Sequence, residues 1–104
     1  MKRVECKGMV GKYPNPKGKG MIAFYDTGVS IPPEDVAEAI TLQHLAFFAT
    51  TAAARQQAME KVVEFTKAMA KKVNVYPKGM AALAEDGRIL VTEPYFESKE
   101  ASLL

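Results

Sequence analysis

The sequence holds one cysteine, one histidine and no tryptophan. A single cysteine closes no intramolecular disulfide and builds no thiolate metal site, which excludes disulfide scaffolds and zinc fingers and points to a reducing compartment. With only 7 Gly and 6 Pro in 104 residues, the composition is neither low-complexity nor collagen-like. No long apolar run occurs. The longest uncharged stretch, residues 39–54, contains Thr41, Gln43, His44, Thr50 and Thr51 and is too short and too polar to span a bilayer. The residues after Met1-Lys2-Arg3 are Val4-Glu5-Cys6-Lys7-Gly8, which lack the apolar core of a signal peptide. The expectation is therefore a cytoplasmic protein without membrane contact.

What is present is 48% hydrophobic and 25% charged residues, the balance of one packed domain; chains of this length close one core. The net charge of +2 is below that of a dedicated nucleic-acid binder, but it is unevenly spread. Residues 1–20 carry Lys2, Arg3, Lys7, Lys12, Lys17 and Lys19 against Glu5 alone, whereas Asp26, Glu34, Asp35 and Glu38 are the only charges in residues 21–54.

Val4, Cys6 and Val10 alternate with Glu5 and Lys7, the period of a half-buried strand that Gly8 weakens or bulges. Residues 11–20, GKYPNPKGKG, read as a loop, and Met21-Ile22-Ala23-Phe24-Tyr25 resumes as a strand, forming a hairpin with a long basic tip. Asp26-Thr27-Gly28 matches the short signature of aspartic proteases, and one copy in so short a chain resembles their dimeric retroviral type. That fold is nearly all β, while the middle of this chain is helical, so the tripeptide is read as a turn.

Pro32 and Pro33 followed by Glu34 and Asp35 mark a helix start, with Ile31 and Val36 spaced as a hydrophobic staple across Pro32. Helical sequence continues to about Val73, and Asn74 with Pro77 ends it. A straight helix of roughly 40 residues would be about 60 Å long, beyond the ~26 Å diameter of a compact chain of this size. It either breaks, near Thr50-Thr51, or projects and needs a partner. Beyond it, Asp86-Gly87 between two apolar runs predicts a type I′ hairpin. The single domain is expected to cover residues 1–97, with a mobile tail over 98–104. The fold class that follows is α+β in two layers: an antiparallel sheet from N- and C-terminal hairpins, packed on a long or broken central helix.

A helical wheel places Val36, Ile40, Phe47, Phe48, Met59, Val62, Phe65 and Met69 on one apolar side. In the first half, Leu42, Ala46, Ala49 and Ala53 occupy the opposite side, which is polar in the second half. Small side chains at this spacing admit another helix closely. Either a second element of the same chain or an identical chain covers the strip, and a homo-oligomer is the expectation that gives the strip a function.

No catalytic constellation stands out. Gly18-Lys19-Gly20 lacks the glycine at 13 and the Ser or Thr at 20 of a phosphate loop. His44 lies at the edge of the apolar side, Cys6 would need the first strand to cross the helix to meet it, and the acids Glu34, Asp35 and Glu38 are explained by the helix dipole. No enzyme activity, metal or cofactor is expected. Arg3, Lys12, Tyr13, Lys17 and Lys19 are the candidate partner-binding residues. The expected role is a small binding or assembly protein that self-associates and holds a protein partner through its basic hairpin. The alternative is a nucleic-acid-binding accessory protein using the same lysines on phosphates and Tyr13 on a base.

Overall fold

The computed structural model describes residues 1–14 and 19–99. In chain order the elements are β1 (Lys2–Glu5), β2 (Gly8–Pro14), β3 (Met21–Ser30), α1 (Pro33–Phe47), α2 (Ala52–Lys72), β4 (Ala81–Leu83), β5 (Arg88–Val91) and β6 (Tyr95–Ser98). The fold is α+β. The N-terminal hairpin β2–β3 and the C-terminal hairpin β4–β5 join through β3 and β5 into one antiparallel sheet of order β2-β3-β5-β4, while β1 and β6 pair as a second, two-stranded sheet. Among the described residues no helix is long and apolar enough to cross a membrane.

α1 begins as its sequence predicts, with Pro32 as N-cap, proline in the first turn, and Glu34 and Asp35 at the positive end of the dipole. The central helix breaks over residues 48–51. The N–H of Phe48 donates to the His44 carbonyl, closing α1, and the Thr51 hydroxyl accepts from the N–H of Ala54 at 3.1 Å, capping α2. The break lets the chain fold back as a helical hairpin. Lys72 at the end of α2 reaches Asp35 at the start of α1 at 3.0 Å. Asn74 ends α2 with φ 64°, the left-handed conformation that asparagine tolerates.

Three local expectations are corrected. The tip of the first hairpin is shorter than residues 11–20, because Gly11–Pro14 stay in β2, with a bulge between Met9 and Gly11 and Tyr13 opposite Ile22. Asp26-Thr27-Gly28 is not a turn but a bulge inside β3: the register shifts between Asp26 and Ser30, Gly28 has φ 75°, and the Thr27 hydroxyl donates to the Ile89 carbonyl at 2.8 Å. The second hairpin turns by another route than type I′. Gly87 N–H donates to Ala84 O, Ala84 N–H donates to Arg88 O, and Gly87 has φ 89°, the pattern of a type I turn followed by a glycine bulge.

Ser98, which the sequence places at the start of a tail, pairs with Lys2. Lys99 is clamped by Asn74, whose Oδ1 accepts from the Lys99 N–H at 2.8 Å while its Nδ2 donates to the Lys99 carbonyl at 2.9 Å. Residues 100–104 lie outside the described part.

The core gathers Ile31, Ala39, Ala70, Val75, Ala81, Leu83, Ile89, Val91 and Phe96. By strand alternation Tyr25, Ile89 and Val91 share one sheet face, toward this core, while Phe24, Asp26 and Leu90 lie on the other. Thr66 on α2 is buried, and its hydroxyl has no hydrogen-bond partner among the described residues. A buried hydroxyl without a partner has lost water for nothing. Thr66→Val keeps the β-branched shape and removes the orphan, so it is expected to stabilise the protein by about 1 kcal/mol, a rise in Tm of about 4–8 °C. Urea denaturation checks this.

Candidate interaction surface

The end of the helical hairpin exposes Leu45 (61%), Phe47 (82%) and Phe48 (73%). The phenylalanine rings meet edge to face at 5.7 Å, and His44 packs edge-on to Phe48 at 6.0 Å. Residues 39–54 carry no charge, and the first charged residue after them, Arg55, folds back so that its Nη2 donates to the Ala49 carbonyl at 3.4 Å.

The four residues of the small-residue strip do not form one helix face. Leu42 is half-buried on α1, Ala46 is 4% exposed, Ala49 is half-buried in the link, and Ala53 is exposed in the first turn of α2. Their regular spacing presupposes one continuous helix, and the break at 48–51 separates them. Ala46 is covered by the chain's own elements, whereas Phe47 and Phe48, which the wheel groups with the buried side, face out. These two side chains are the interaction candidates that sequence reasoning overlooked. The available signal was their adjacency: consecutive helical residues point 100° apart, so both cannot face the same neighbour.

Two depressions flank the tip. On one side a shallow groove of about 590 Å³ is lined by Thr41, His44, Leu45, Phe48, Ala49, Ala54 and Ala58. On the other, an open cleft of about 840 Å³ runs between the helical hairpin and the sheet. Phe47, Ala46, Met59 and Val62 line it from the helices, and Val10, Tyr13, Phe24 and Leu90 from the strands. Gln43 bridges helix to sheet by donating to the Leu83 carbonyl at 3.1 Å, which satisfies an acceptor on the edge strand β4.

The basic candidates are distributed rather than clustered. Lys12 and Tyr13 stand exposed on β2, and Lys19 is exposed just before β3. Tyr13 packs edge-on to Phe24 at 5.6 Å, so the hairpin wall of the cleft carries an aromatic pair. Lys17 lies outside the described residues. Arg3 belongs to the other sheet, where its guanidinium pairs with Glu5 at 3.1 Å and lies over the Tyr95 ring at 3.9 Å.

The groups with chemical potential are held apart or occupied. The Cys6 thiol is half-buried against the Glu93 carbonyl, and burial, with Asp26 and Glu5 adding, pushes its pKa up, away from thiolate reactivity. Asp26 is tied to Arg88 at 2.6 Å and accepts from the Gly28 N–H at 2.8 Å. Among the described residues no three His, Cys, Asp or Glu side chains gather as a metal site.

No protein-family model, curated protein or solved structure matches the chain. The most unusual element of its surface is exposed aromatic area beside two apolar recesses, suited to binding another macromolecular surface.

Proposed function

We propose that this protein is a small non-catalytic assembly protein that self-associates through the end of its helical hairpin and meets a protein partner along the β2–β3 hairpin. The observation that carries the reading is the simultaneous exposure of Leu45, Phe47 and Phe48. Each such side chain has on the order of 100–150 Å² to bury, contributing about 2–4 kcal/mol at ~25 cal/mol per Å². Two copies present six of them, enough to offset an association cost of about 4–15 kcal/mol. Ala49 and Ala53 flank the aromatic tip and serve this contact with Leu42 behind them, while Ala46 supports it from inside the fold.

The partner side uses Lys12, Tyr13 and Lys19, with Lys17 between them in sequence. A protein partner is favoured because Tyr13 is already packed on Phe24 at the wall of an apolar cleft, where hydrophobic contact would dominate. Arg3 supports the hairpin less directly, since Glu5 and Tyr95 already engage it.

Size-exclusion chromatography with light scattering tests the self-association. A mass twice the 11.4 kDa of the chain at micromolar concentration is expected, and a monomer at every concentration sinks the reading. The nucleic-acid alternative is tested with a fluorescein-labelled oligothymidylate. The proposal expects no binding at physiological salt. Binding that falls steeply with salt and with Lys12→Glu plus Lys19→Glu would establish the alternative.

A further inference from the structure

We infer that β2 is a docking edge: the protein partner adds to it an extended strand of alternating apolar and acidic residues, its apolar side chains toward the cleft and its acids beside Lys12. This rests on the reading that a protein partner meets the β2–β3 hairpin, and it specifies how.

The two edges of the four-stranded sheet differ. In the order β2-β3-β5-β4, the β4 edge is three residues long, and Gln43 already donates to its Leu83 carbonyl. β2 is seven residues long, and none of the described residues pairs with its outer side. Every second residue of an edge strand turns its N–H and C=O away from the sheet, and an incoming extended chain completes that ladder. Met9, Val10 and Tyr13 are 57%, 45% and 47% exposed, so an added strand finds apolar side chains next to its own.

Charge selects the occupant. Residues 6–25 hold Lys7, Lys12, Lys17 and Lys19 and no acid. The nearest acid in register, Asp26 opposite Gly8, is engaged by Arg88 at 2.6 Å. Two copies of β2 laid edge to edge would join two lysine-bearing, acid-free segments, which disfavours self-pairing, whereas an acidic strand meets opposite charge. Successive side chains alternate across a strand, so the partner residues on the Lys12 side are the acids. Those on the Tyr13 side stand at the mouth of the cleft, where Val10, Tyr13 and Phe24 form one wall and Phe47 belongs to the other. The charged residues lining the cleft, Arg55 and Glu85, are of opposite sign, so β2 itself sets the charge of its partner.

The probe is a short fluorescein-labelled peptide that alternates valine with glutamate around a central phenylalanine, titrated into the full chain by anisotropy. It is expected to bind at least about tenfold more tightly than the same peptide with lysine for glutamate, and to lose about tenfold with Lys12→Glu, an exposed position whose variant should melt with the parent. Of the two alternating sets of peptide backbone nitrogens, methylating one should abolish binding and methylating the other should leave it, and the intact peptide should slow hydrogen exchange at the amides of residues 8–13. If the peptide binds but neither methylated form is weakened and those amides exchange as before, the added strand is overturned while the partner-binding hairpin stands. Tighter binding of the lysine peptide also overturns it, as does protection of the same amides on concentrating the protein alone, which would identify a second copy as the occupant. If no peptide binds, the docking edge falls, while the oligothymidylate titration and the mass of the parent judge the partner and self-association readings separately.

Discussion

Gly87→Val is expected to destabilise the fold by about 3–5 kcal/mol, the sum of a backbone and a packing cost. Gly87 closes the β4–β5 turn with φ 89°, a conformation that costs a β-branched residue on the order of 2 kcal/mol. It is also crowded. A Cβ at this position would lie 2.8 Å from Val36 Cγ2 on α1 and 3.5 Å from Ile31 Cγ1, and the Gly87 carbonyl accepts from the Ile31 N–H at 3.0 Å. The turn, the end of β3 and the first turn of α1 therefore meet at one atom-thick contact, so relief by movement would disturb all three. Gly20 provides the control, because it has nearly the same φ, 88°, with none of the described residues within 4 Å. Gly20→Val should cost only about 2 kcal/mol, the backbone part alone. Chemical denaturation of the two variants separates strain from crowding; equal losses would show that the contact with Val36 contributes nothing.

The Gly87 contact also explains why some of this fold is legible in the residues and some is not. Signals that act within a few residues were readable. Pro32 and Pro33 with their acids start α1, Asn74 ends α2, and two hairpins flank the helical middle because apolar runs alternate with glycine and proline there. Features decided by distant partners were not. Gly11–Pro14 look like loop, yet Tyr13 reaches Phe24 across the hairpin and keeps them in β2. Asp26-Thr27-Gly28 has turn chemistry, but Arg88 and the Ile89 carbonyl, more than sixty residues on, hold it inside a strand. The pairing of β1 with β6 joins the two ends of the domain and leaves no local mark.

The candidate site shows the same division. The uncharged stretch of residues 39–54 marked the part of the chain that carries the exposed apolar side chains, because composition is a local property. Which side chains are exposed depended on where the helix breaks, and one shift of the break turns the wheel. With Thr51 as cap, the alanine at 46 turns inward and the aromatic pair outward. On the same helix the long side chain of Gln43 reaches the Leu83 carbonyl of the edge strand. The large side chains are displaced to the tip, where none of the described residues covers them.

Ile89→Ala and its neighbour Leu90→Ala test whether the two faces of the central sheet have different duties. Ile89 is fully buried among Val75, Val91 and Ala70, so truncation leaves a closed void and is expected to cost about 3–4 kcal/mol. That is a large part of the ~5–15 kcal/mol by which domains are stable. Leu90, although only 6% exposed, points to the other face and borders the open cleft with Phe24 and Tyr13. Its removal enlarges a recess that water already enters, so the cavity part of the cost is mostly absent and about 2 kcal/mol is expected. Denaturant titration with unchanged m-values gives both numbers. A Leu90→Ala loss as large as that of Ile89→Ala would mean that the cleft closes over Leu90 in solution, leaving Tyr13 and Phe47 no shared recess for a partner. The expected inequality instead implies a sheet whose one face holds the fold together while the other borders an open cleft, which is how a single small core can coexist with exposed aromatic side chains at its edge.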